Sequence, residues 1–195
     1  GAATAIGALT TKAIEGYAAQ EQLVGGVETL FKTSSDTVVG YANDAYKTAG
    51  MSANEYMETV TSFSASLLAS MNNDTAAAAE KANVAITDMS DNANKMGTDI
   101  SLIQNAYNGF AKQNYTMLDN LKLGYGGTKE EMQRLLDDAS KLSGIKYDIS
   151  SYSDVVDAIH VVQTEMGITG TTAKEASTTI EGSVSSMSSA WDNWV

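Results

Sequence analysis

The feature that most restricts this chain is a helical period of apolar residues, interrupted by capping residues and glycines. In residues 52–71, Tyr56, Val60, Phe63, Leu67 and Met71 recur every three or four positions, which puts them on one face of a helix. Ser52 with Glu55 has the capping-box pattern at its start. Ala82, Ile86, Met89, Ala93 and Met96 form the next stripe. Asn73 is its candidate cap, and Gly97 suits a left-handed stop. Thr98 is the candidate cap for Ile100, Ile103, Tyr107 and Phe110. Thr128 with Glu131 precedes Met132, Leu135, Leu136, Ala139 and Leu142, which Gly144 ends. Ser151 opens the stripe Val155, Ile159, Val162 and Met166, closed by Gly167. Thr172 with Glu175 repeats the box before Ala173, Ala176, Ile180, Val184, Met187 and Trp191.

Upstream the pattern is looser. Leu9, Ala13 and Tyr17 can precede Leu23, Val27, Leu30 and Phe31 on one long helix. Gly25 and Gly26 weaken it by about 1 kcal/mol each relative to alanine. The SSD of residues 34–36 reads as a stop and restart before Val38, Tyr41, Ala45 and Ala49, with Gly50 as the end. Only KYDIS, residues 146–150, alternates as a strand would. The expected fold is therefore all-α: a compact multi-helix bundle of about seven helices, whose short loops favour antiparallel neighbours. Residues 1–50 are expected to form an N-terminal helical arm, whose weak stripe lets the first helix project. Residues 51–195 are expected to form the helical core domain. GAATAIGAL at the start and SAWDNWV at the end read as the interior of something longer, so the chain is expected to be a fragment.

Composition limits the function classes. Proline is absent, so no proline imposes a kink or a stop. Cysteine is absent too, which excludes disulfides and thiolate metal sites. The net charge of −12 and the lack of any Lys/Arg cluster argue against direct nucleic-acid binding. No apolar run approaches the roughly 20 residues that span a bilayer.

The glycine-rich turn GYGG, residues 124–127, precedes a helix, a place where phosphate can bind. A P-loop, however, needs four residues before its Gly-Lys pair and a hydroxyl after the lysine. Here Lys129 follows Thr128, and Glu130 and Glu131 occupy the positive helix end. The glycines are read as backbone geometry. DMSDNANKMGTD, residues 88–99, is dense in oxygen ligands, but an EF-hand needs glycine sixth and glutamate twelfth. Counting from Asp88, those places hold Ala93 and Asp99, so the segment is read as a solvated helix face. His160 has Asp157 three residues before it and no serine in a G-x-S-x-G context, so it is read as a partly exposed helical histidine. Glu130 with Glu131, and Asp137 with Asp138, point about 100° apart on a helix and are read as surface charge. No catalytic residue, cofactor site or metal site is expected. Tyr125 in the turn, and Trp191 with Trp194 on one helical face, are the exposed-aromatic candidates for protein contact. The tryptophans are expected either to pack in the core or to meet a continuation of the chain.

The long run from Gly50 to Leu136 resembles the core region of tail tape measure proteins of long-tailed phages, in the form common in prophages of Gram-positive bacteria. MSDNANKMGTDI (residues 89–100) and GFAKQNYTMLDNLKLGYGGTKEEM (residues 109–132) carry it most distinctly. EQLVGGVETLFK (residues 21–32) and ITGTTAKEASTTIEGSVSSMSSAWDNW (residues 168–194) also fit, so the resemblance covers nearly the whole chain. It implies a structural protein whose long helical chain fills the tail lumen, sets tail length during assembly in the host cytoplasm, and leaves ahead of the DNA. It implies tail tube and initiator proteins, tail-assembly chaperones and other copies of the chain as partners. The alternatives are a wall-degrading domain carried by the tape, or a helical component of a secretion or injection system.

Overall fold

The computed structural model describes residues 19–175. Residues 19–31 are helical (α1) and run through a short 3-10 turn, Lys32–Ser34, into α2 (Ser35–Thr48). Then come α3 (Ala53–Ser70), α4 (Thr75–Met96) and α5 (Ile100–Ala111). A loop with a second 3-10 turn, Leu118–Leu121, leads to α6 (Lys129–Ser143) and α7 (Tyr152–Glu165). Residues 171–175 begin a further helical stretch. No strand occurs among the described residues, so KYDIS is corrected to a loop. Its backbone is served by side chains: Asp148 accepts from the Ser150 N–H at 2.9 Å, and the Asp148 N–H donates to Asp154 at 2.9 Å.

The caps explain where the helices begin. Ser52, Thr128 and Ser151 accept from the N–H groups of Glu55, Glu131 and Asp154 at 3.1, 3.1 and 3.3 Å, as their spacing implies. At two starts the residue one further on takes the role. Asp74, not Asn73, accepts from the Ala77 N–H at 3.1 Å, and Asp99, not Thr98, accepts from the Ser101 N–H at 2.9 Å. A carboxylate at the positive end of a helix gains from the dipole as well as the hydrogen bond. Gly97 and Gly144 end α4 and α6 in the left-handed conformation, with φ of 67° and 76°.

The bundle is built around α3 and α4. The first packs on α2, α4, α5 and α7; the second packs on α2, α3, α5, α7 and both 3-10 turns. The predicted stripes are its core: Tyr56, Phe63 and Leu67, Ile86 and Met89, Ile103, Tyr107 and Phe110, Leu135 and Leu136, Val155 and Ile159 are all buried. Phe63 meets Tyr152 edge-on at 6.5 Å between ring centroids. Ala78, Ala79, Ala82 and Ala85 are fully buried along α4, where a methyl group lets neighbouring backbones come close. Stripe ends are the exceptions: Leu142 and Met166, each at the last turn of its helix, are exposed.

Part of the expected arm shares this core. Val27, Phe31, Val38, Ala42 and Ala45 are buried in the same cluster, and the Ser34 and Thr75 hydroxyls lie 3.0 Å apart. Residues 1–18, where the projecting helix was expected, lie outside the described residues.

The long loop between α5 and α6 answers the question of the glycines. A Cβ on Gly127 would come within 2.3 Å of the Thr116 carbonyl oxygen. One on Gly126 would make only ordinary contact, 3.6 Å from a Glu131 side-chain carbon. Two stretches of backbone thus cross at Gly127. Gly127→Ala is expected to cost about 2 kcal/mol or more, and Gly126→Ala less than about 1 kcal/mol, in urea unfolding. Equal costs at both positions would contradict the close crossing.

Candidate functional site

The densest chemistry sits in the middle of α4, where a solvated face was expected. Asp88, Ser90, Asp91 and Asn92 are at most 4% exposed. With helices or turns on every side of α4, little of its surface is left for solvent. Each buried polar atom then needs a partner from another part of the chain.

Most find one. Asn92 donates to the Leu121 carbonyl at 2.9 Å and to the Gln163 side-chain oxygen at 2.8 Å. Gln163, fully buried, donates back to the Asp88 carbonyl at 3.1 Å. One carboxylate oxygen of Asp91 accepts from the Gly170 N–H at 2.7 Å, the other from the Thr172 N–H at 2.9 Å. Asp91 therefore caps the helical stretch 171–175 from another helix. This corrects the expected capping box: Thr172 lies inside the stretch, and its hydroxyl accepts from the Asn94 amide at 2.9 Å.

His160 belongs to the same cluster. Its Nδ1 lies 3.0 Å from both oxygens of Asp88, 72 residues away in sequence. Thr169 also donates its hydroxyl to Asp88, at 3.1 Å. The Asp88 hydrogen bond raises the imidazole above its ordinary value, against the lowering effect of partial burial. Burial in turn pushes the Asp88 carboxyl up, against the pull of His160. The nearby Asp157 serves another join: it binds Lys81 at 2.7 Å, and Lys81 also donates to Ser153 at 2.8 Å.

Tyr125, expected as an exposed contact aromatic, is corrected to a buried residue. Its ring lies 4.3 Å from the Arg134 guanidinium, and its hydroxyl donates to Asp138 at 2.5 Å. Burial, with the Asp138 contact second, pushes the phenol up to about 12. Asp138 is thus half-buried and engaged rather than free surface charge. Glu131 holds the Gly126 N–H at 3.1 Å and Arg134 at 2.6 Å, and Arg134 is the first cause that brings its carboxyl down to about 2. The positive end of α6 is therefore filled by the chain's own carboxylate. Trp191 and Trp194 lie outside the described residues.

This arrangement joins parts of the chain; it does not assemble a reacting centre. The hydroxyl nearest the His160–Asp88 pair points its proton at the carboxylate, not at the imidazole. Among the described residues, no three His, Asp or Glu side chains gather to hold a metal ion, and no helix is long and apolar enough to cross a membrane. Comparison of the chain with models of protein families, with curated proteins and with solved structures finds no match.

Two outcomes follow from the clamp. Asp91→Ala leaves two backbone donors without their acceptor, so a loss of about 2 kcal/mol or more is expected. Amide hydrogen exchange should quicken at Gly170 and Thr172 first. His160 has a raised value in the fold, so its stabilisation is full below the ordinary 6.5 and fades as pH rises through the raised value. The difference in unfolding free energy between the chain and His160→Gln should shrink from about pH 6 towards about pH 9. A flat difference would mean that Asp88 does not hold an imidazolium.

Proposed function

We propose that this chain is a structural helical block of a phage tail tape measure protein. It takes part in tail assembly and length determination, and lies in the tail lumen before DNA ejection. The observation that supports this reading is how the resemblance-bearing runs use their residues. Asn92 of the 89–100 run binds Leu121 of the 109–132 run, and Asp91 holds Gly170 and Thr172 of the 168–194 run. The most peculiar residues of these runs hold one another, as a structural block requires, instead of facing an open cleft. The net charge of −12 would also keep such a block from adhering to DNA in a shared channel.

Mass spectrometry of tails purified from induced lysogens that carry the sequence tests the proposal. Peptides of the chain should be present in filled virions and depleted from virions that have ejected their DNA. A pull-down with the chain from the same lysate should enrich tube, initiator or tail-assembly chaperone proteins. Absence from filled virions would overturn the reading, and lysis of cell wall by the isolated chain in a zymogram would favour the wall-degrading alternative.

A further inference from the structure

A groove of about 560 Å³ runs between α3 and α5, with the C-terminal half of α4 as its floor. Its charged lining groups are Glu55 and Glu58, one turn apart on the same face of α3. Their Cβ atoms are about 5–6 Å apart, close enough for both carboxylates to reach one cation. Neither carboxylate has a partner among the described residues, and no basic side chain lines the groove.

The floor supplies an independent sign of a ligand. Ser90 is 4% exposed and lines the groove, yet its hydroxyl has no hydrogen-bond partner within the protein. Leaving such a group unmade is costly. The opposite wall offers amides: Asn105 has no printed partner, while Asn108 and Gln104 are tied to Ser62 and Thr59 across the groove at 3.3 and 3.0 Å. Met51 and Ile100 add apolar surface.

We propose that this groove binds an arginine-bearing peptide segment of a partner protein. A guanidinium presents five N–H donors in a planar fork, matched to paired carboxylates. Its aliphatic stem suits the apolar surface of Met51 and Ile100, and the amides suit the peptide backbone. A neutral sugar would find amides and hydroxyls but would leave two carboxylates uncompensated. The chain's negative field would also draw a basic segment in. This inference stands apart from the tape measure reading and holds or fails without it.

The test is an NMR titration of the 195-residue chain with acetyl-Gly-Arg-Gly-amide, against the citrulline peptide, which has the same shape and no charge. The arginine peptide should shift amide signals in residues 49–51, 55–62, 90–94 and 104–108, and the citrulline peptide should bind roughly tenfold more weakly. Glu55→Gln and Glu58→Gln should each weaken binding roughly tenfold, while Glu165→Gln, exposed at the end of α7, should leave it unchanged. Ser90→Ala should weaken binding without lowering the melting temperature. Equal affinity for both peptides, loss of binding in Glu165→Gln to the same extent, or shifts produced by an N-acetylglucosamine oligosaccharide and not by the arginine peptide would each overturn the proposal.

Discussion

Burying carboxylates in the middle of a helix is the constraint from which the rest of this structure follows. A desolvated Asp is tolerated only where donors surround it. Asp88 and Asp91 have such donors because four separate parts of the chain converge on α4: His160 and Gln163 of α7, the turn at 168–170, and the helical stretch after it. Shift α7 along α4 by one turn, and every one of these bonds is lost at once. Apolar stripes rich in alanine would tolerate that shift far better, because a methyl group packs much the same one turn up or down. The polar cluster is what fixes the register of the bundle.

This division of labour explains what was legible in the sequence. The stripes were legible because an apolar face repeats locally, every three or four residues. Tyr56, Phe63, Ile103, Tyr107, Leu135 and Ile159 needed no knowledge of distant partners. The glycines after α4 and α6 were legible for the same reason: a left-handed stop is a local event. Caps at Asn73 and Thr98 were misplaced by one residue, since each has an aspartate beside it and the carboxylate wins at a positive helix end.

The polar cluster was not legible, and the reason is geometric. A run such as SDNAN looks solvated under the rule that polar residues face water. That rule presumes a helix with one free side, and α4 has neighbours all round. The partners of Asp88 and Asp91 lie 72 to 81 residues away, beyond any local pattern. One signal could have hinted at it: Met89 and Ala93 fall within the same two turns as the aspartates, so their apolar face cannot be buried without drawing the flanking residues in. Tyr125 was misread in the same way. Its turn is short and glycine-rich, but Arg134 and Asp138 come back over the ring from the following helix.

The same architecture bears on how the block would come apart. Each buried alanine adds little apolar area, so its removal from water contributes less than that of a leucine or phenylalanine. Much of the specific cohesion between α4, α7 and the stretch 168–175 then rests on a few shared hydrogen bonds. Such bonds act together: loosening the segment that carries Thr169, Gly170 and Thr172 leaves both buried aspartates without donors, and each becomes a cost to the folded state. A pull on the chain beyond residue 175 is transmitted to Asp91 first, through the Thr172 and Gly170 amides, and to the Asp88–His160 pair next. A tape that must hold one shape during assembly and give it up during passage through a tube would gain from this order. The fold is specific while the segment is docked, and loses its anchor from one end when the segment is drawn away.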